Sequence, residues 1–169
     1  AEPTVIVVAP DGSGVDCTYD APCELSQAQA TVRSLAPTMS ADIDVVFIAT
    51  THDVLPLIAE QAASHGKHVR GVKPGARRAA ELEPVKAAAA RTGALVRVGF
   101  NHGYHRAFRK AREIFETGAL GRMMFIRARY GHGGRPGYDK EWRADPKISG
   151  GGEGIDQGMH LVDLARWFL

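Results

Sequence analysis

Asp44-Val-Val-Phe-Ile-Ala49 decides the architecture. It is an unbroken apolar run, too short for a helix and rich in β-branched residues. It reads as a strand buried on both faces of a sheet. Thr50-Thr-His-Asp53 closes it with polar groups, and Asp53 is placed to cap a helix over about 54–64. Leu55, Ile58, Ala59 and Ala62 fall on the inward face of that helix, and Gly66 stops it. Residues 67–72 form a second short strand ending at Lys73-Pro74. An alanine-rich helix over about 78–91 follows, ended by Gly93, and then a strand over 94–100 with Asn101 and His102 at its carboxyl end. Strand alternating with helix is the grammar of a parallel sheet with crossover connections. The fold class is therefore α/β, a partial Rossmann-like parallel sheet, with the start of a second α/β unit behind it.

In such sheets ligands sit outside the carboxyl ends of the strands. Three strand ends deliver Thr50, Thr51 and His52, then Lys73, then Asn101 and His102. Each alone is as readily a helix cap or a solvated side chain, so the joint pattern carries the weight. Pro74 fixes the backbone just past Lys73 and can hold the ammonium at the crevice.

The second unit opens with a helix over about 105–116, closed by Gly118. Residues 121–130 alternate and mix β-branched with aromatic side chains, which predicts a strand. Gly131–Gly137 is a loop, followed by Tyr138, Lys140 and Trp142, aromatic and basic side chains that suit a sugar-like ligand or plain loop packing. Gly150-Gly-Gly-Glu-Gly-Ile-Asp156-Gln-Gly-Met-His160-Leu-Val-Asp163 comes next. Its glycines let the backbone pass very close to a neighbour. The residues after them read as a helix that puts Asp156, His160 and Asp163 on one face and Leu161, Leu164 and Phe168 on another. A carboxylate one turn before an imidazole can orient the ring for proton transfer, and it can equally be a solvated pair. No HExxH and no Cys/His cluster completes a metal site, so no metal is expected.

The first residues differ. Residues 4–8 read as a strand, 11–14 as a turn, and 27–35 as a helix capped by Ser26. A dinucleotide-binding turn requires G-x-G-x-x-G after the first strand; Gly12 and Gly14 are present, but Cys17 stands at the third position. No phosphate cradle is expected there. Residues 4–43 resemble the opening of secreted right-handed parallel β-helix proteins, many of which act on polysaccharides, with a Pro-Asp-Gly-Ser-Gly turn, a Cys pair and a capping helix. No repeated coils follow, so no catalytic residue is carried over.

The 169 residues are 44% hydrophobic and 24% charged with a formal charge of +2, ordinary for a globular chain. No concentrated basic stripe points to nucleic acid, and no apolar run reaches the length of a membrane span. No secretory leader is evident, so a cytoplasmic location is expected, with a secreted one as the alternative from the N-terminal resemblance. The only cysteines, Cys17 and Cys23, could close a small loop in an exported protein and would be reduced thiols in the cytosol.

Residues 44–169 resemble the Gfo/Idh/MocA family of NAD(P)-dependent oxidoreductases. The resemblance rests on Asp44-Val-Val-Phe-Ile-Ala-Thr50, Gly66-Lys-His-Val69, Lys73-Pro74, Val98-Gly-Phe-Asn101, Gly118-Ala-Leu-Gly121 and Gly150-Gly-Gly-x-x-x-Asp156-x-Gly158-x-His160-x-x-Asp163. It implies a Rossmann domain followed by an α/β domain with an open sheet, and hydride transfer between NAD or NADP and a carbinol of a sugar, an inositol or a sugar nucleotide. It implies that Lys73 bonds the reacting oxygen, that His160 takes the alcohol proton, and that Asp156 positions His160 or the substrate. Thr50, Thr51, His52, Lys73 and Asn101 would line the cofactor; Lys73, Tyr138, Trp142, Asp156 and His160 would meet a carbohydrate-like substrate. Val72 stands where the family has Glu before the Lys-Pro pair. The expected layout is an atypical segment 1–43, a partial dinucleotide-binding unit 44–103 and the start of a substrate unit 104–169. Against the family pattern, the first strand, glycine turn and first helix are expected to be missing, and the chain to stop early. Ala41–Asp44 then looks like the seam of a chimera. Uncovered sheet edges and an apolar helix face would open the chain to self-association. A non-catalytic remnant is the alternative to an enzyme.

Overall fold

The computed structural model describes residues 5–8, 14–15, 40–131 and 133–169. Of the turn expected at 11–14, residues 11–13 lie outside the described residues, as do the helix expected at 27–35, Cys17 and Cys23, whereas Gly14 lies in a strand. One sheet organises the first part. Its strands are β1 (Val5–Val8), β2 (Gly14–Val15), β3 (Val45–Ile48), β4 (His68–Val72) and β5 (Val96–Gly99), in the spatial order β2-β1-β3-β4-β5. β1, β3, β4 and β5 run parallel, while β2 folds back antiparallel on β1. β1 lies beside β3 with Val5 opposite Val45 and Val8 opposite Ile48, so the first strand completes the sheet.

Two crossover helices, α1 (Leu55–Ser64) and α2 (Glu83–Thr92), connect β3 to β4 and β4 to β5. Val46 and Ile48 are fully buried and pack with Leu55, Ile58, Ala59, Ala62, Val69 and Val85 into the main core. Burying each large aliphatic side chain there stabilises the fold by about 1.5–3 kcal/mol. Val45 and Phe47, on the other face of β3, are only half-buried, so the strand is sealed fully on one side rather than two.

Two helix starts differ from expectation. α1 begins at Leu55 with Val54 as its cap residue, and Asp53 makes no capping bond. Pro56 in the first turn has no N–H to cap, and the Leu55 N–H is taken by the Thr51 carbonyl at 3.1 Å. The alanine-rich helix is divided into a 3-10 turn, Ala79–Leu82, and α2 proper, because Pro84 can sit only in the first turn of an α-helix.

The second part contains α3 (Arg106–Glu116), α4 (Pro146–Ser149), α5 (Gly152–Asp156) and α6 (Gly158–Phe168), with short 3-10 turns at Tyr138–Lys140 and Trp142–Ala144. His105 caps α3 by accepting the Ala107 N–H at 3.2 Å. The expected strand at 121–130 is not formed. A strand needs a neighbour to take its backbone hydrogen bonds, and among the described residues none lies alongside. Met124 and Phe125 are 83% and 80% exposed. The single helix expected after the glycines is instead α5 and α6, broken at Gln157. Leu164 is buried, and Phe168 meets Phe115 of α3 edge-on with ring centres 6.0 Å apart. No helix among the described residues is long and apolar enough to cross a membrane.

Candidate active site

The carboxyl ends of β3, β4 and β5 meet the glycine-rich segment of the second part. Thr50 and Thr51 are buried; the Thr50 hydroxyl donates to the Thr51 carbonyl at 3.3 Å, so both help shape the strand end. His52 is 2% exposed and its Nδ1–H donates to the Ser149 carbonyl at 2.8 Å, since a carbonyl can only accept. Its ring stands edge-on to Trp142, centres 4.7 Å apart. Burial lowers its pKa, outweighing the Ser149 bond and the Asp156 charge that favour the cation. His52 therefore ties the sheet to the second part.

Lys73, joined to Pro74 by a cis peptide bond, donates from Nζ to both the carboxylate and the carbonyl oxygen of Asp156, 83 residues away. Asp156 is 4% exposed. Its other oxygen, Oδ2, lies 3.4 Å from Arg143 Nε. Burial pushes the Asp156 carboxyl up, but the hydrogen bond and charge of Lys73, aided by Arg143 and His52, outweigh it and hold the group below its ordinary value. Asp156 is thus a carboxylate at neutral pH, and it holds the ammonium at the crevice.

His160 is 6% exposed, and its Nδ1 is buried with no hydrogen-bond partner. Burial, then the charges of His102 and Lys73, lower its pKa to about 4 against the opposing pull of Asp156. It is a neutral imidazole at pH 7, able to take a proton. The break at Gln157 sends Asp156 and His160 to different partners: Asp156 turns to Lys73 and Arg143, whereas His160 stacks on His102 with ring centres 3.9 Å apart. Phe100 and Tyr130 close around the ring at 6.1 and 5.9 Å. Asn101 is exposed, and its Oδ1 accepts from His102 Nδ1 at 2.9 Å.

Trp142 is half-buried between the His52 ring and the Arg143 guanidinium, 4.4 Å above its centre. Tyr138 is half-buried, with Arg135 at 5.7 Å over its ring. Burial, then the charges of Glu153 and Asp156, raise its phenol pKa. The close approach expected of the glycines occurs within the chain itself. Gly150 has φ +89°, and a Cβ there would stand 2.7 Å from Arg77 Cβ. Arg77 in turn donates to the Lys147 carbonyl and pairs with Glu81 at 2.7 Å. Arg77, Arg143 and Ser149 were not singled out from the sequence. An arginine beside a tryptophan, or in a run of two arginines, has no local signature; only the fold shows what it reaches. Among the described residues no group of three or more His, Cys, Asp or Glu side chains is arranged to hold a metal ion.

Residues 5–100 match the oxidoreductase family with an NAD-binding Rossmann fold, and residues 108–169 match the Gfo/Idh/MocA C-terminal domain.

The chain belongs to the Gfo/Idh/MocA oxidoreductase family.

The NAD-binding match starts at residue 5, earlier than the motifs alone suggest, and so takes in β1. Levoglucosan dehydrogenase of Pseudarthrobacter phenanthrenivorans is 33% identical over 130 residues, which are 76% of this chain and 33% of that protein. A levoglucosan dehydrogenase structure in complex with NADH superposes with a TM-score of 0.70 at 29% identity, covering 81% of this chain and 38% of that one. An NAD-binding protein from Listeria innocua superposes with a TM-score of 0.71 at 29% identity over 83% of this chain and 41% of that one. The aligned part of this Gfo/Idh/MocA chain therefore spans about a third of the curated relative's length.

Proposed function

We propose that this chain carries the proton-handling site of a Gfo/Idh/MocA dehydrogenase acting on a carbinol of a sugar, an inositol or a sugar nucleotide. The observation that carries the reading is the Lys73 ammonium fastened to Asp156 across 83 residues, beside a buried His160 whose Nδ1 is unpartnered. Lys73 donates a hydrogen bond to the substrate oxygen, and neutral His160 accepts its proton as the carbinol is oxidised. Asp156 holds Lys73 in place. NAD or NADP, when bound, supplies the hydride acceptor. The strand ends bearing Thr50, Thr51, His52, Lys73 and Asn101 suit the nicotinamide side: they are lined by polar groups at the carboxyl edge of a parallel sheet. Tyr138 and Trp142 suit the apolar face of a sugar ring. The relatives support this, one being a levoglucosan dehydrogenase solved with NADH.

One observation favours the non-catalytic alternative. β2 pairs antiparallel with β1, Val15 opposite Val7 and Gly14 opposite Val8, at the end of the first strand, where a dinucleotide turn would lead into a helix. Thermal shift with NADH and NADPH separates the readings. A rise in melting temperature at millimolar cofactor, followed by cofactor reduction with cyclic polyols, is expected of the enzyme; no shift sinks it. Self-association belongs to the same proposal, resting on the exposed Leu120, Met124, Phe125 and Ile126. Light scattering that gives a monomer mass at every concentration overturns that part.

A further inference from the structure

We propose that His102 is a positioning residue for His160, clamped by its neighbours so that its stacked ring orients the His160 imidazole and, once protonated as pH falls, holds a second proton off it. The inference rests on the reading of His160 as the proton acceptor. Four observations build it. The two rings are 3.9 Å apart and tilted by only 32°, a stack rather than a hydrogen bond. The His102 ring cannot swing away easily, because Asn101 Oδ1 takes its Nδ1–H at 2.9 Å, Tyr130 stands edge-on at 4.9 Å, and Phe108 lies 5.9 Å off. With Nδ1 committed as donor, neutral His102 carries its lone pair on Nε2. His160, in contrast, is 6% exposed with an unpartnered Nδ1, so nothing else described fixes its charge state from that side.

Two cations at this separation repel strongly in a half-dry site, so the second proton enters the pair only at markedly lower pH than the first. His102 is the more exposed partner and takes the first proton. The other charges around the pair pull in both directions. Lys73 bears on both rings and opposes a proton on either; Asp156 attracts one to His160; His105 opposes and Asp163 favours one on His102. Tyr130 contributes a neutral ring to both.

The test is the imidazole titration of the full chain by NMR, with the seven histidines assigned through single substitutions. In His102→Phe, which keeps the aromatic stack and removes the charge, the His160 midpoint is expected to rise from about 4 by roughly half a pH unit or more. His102→Leu is the second variant and should give the same rise without the stack, which separates charge from packing. An unchanged midpoint in either folded variant overturns the proposal. The readout needs no turnover. If the midpoint moves and no cofactor reduction is ever seen, the coupling stands and the dehydrogenase reading fails. If turnover is seen but the midpoint is fixed, the reverse holds.

Discussion

At the scale of single residues, the proposed site turns on Lys73, held by Asp156, and on the buried imidazole of His160. Asp156 meets the half-buried Lys73 Nζ with two oxygens, one of its carboxylate and its carbonyl. On the proposed role of Lys73, Lys73→Met lowers kcat at least about a hundredfold, because that role is a hydrogen bond to the reacting oxygen; steady-state cofactor reduction checks it. Asp156→Asn leaves the ammonium without its counter-charge and should cost on the order of 3 kcal/mol at pH 7 by urea unfolding. The pH signs follow. Asp156 is depressed in the fold, so its contribution is complete above the ordinary carboxylate pKa of 3.8 and fades as pH falls through its lower folded value. His160 is also depressed. The unfolded chain binds a proton below the usual 6.5 while the folded chain resists until about 4, so the fold loses stability across that window as pH falls. His52 and His102 act in the same direction. Replacing His160 by Asn should flatten the loss between those two pH values, as read by melting temperature against pH.

At the scale of elements, the glycine-rich run and the central strand set the tolerances. Gly150 combines a left-handed backbone with a Cβ position blocked by Arg77. Gly150→Ala should therefore destabilise by about 1–3 kcal/mol and push the α4–α5 segment off the strand ends; a matched fall in kcat would accompany it. Ile48, fully buried on β3 against α1, is the opposite kind of position. Ile48→Ala should cost about 2–5 kcal/mol in denaturant unfolding, because it opens a cavity in the core between β3 and α1.

At the scale of the whole molecule, the second part is fastened over the sheet by three polar ties: Lys73 to Asp156, His52 to Ser149, and Arg77 to the Lys147 carbonyl. Apolar packing holds the sheet and its two helices, whereas these ties dock the site segment. Arg77→Ala should raise hydrogen exchange across 146–168 and leave α1 and α2 protected, as read by mass spectrometry. Equal protection throughout would show that the ties are redundant. What the sequence alone determined was the parallel α/β frame: period and punctuation are local, so the apolar run 45–48, the helix-stopping Gly66 and Gly93, and the strand-end positions of Thr50, Lys73 and Asn101 were all legible. Three things were decided only in the tertiary structure. Residues 121–130 carry a strand pattern but form no strand, because pairing depends on a neighbour and not on the segment's own residues. Asp156 and His160, one helical turn apart in sequence, serve different partners, because the chain breaks between them to let each reach across. Arg77 and Arg143 enter the site region by side-chain reach over distances that no local periodicity encodes.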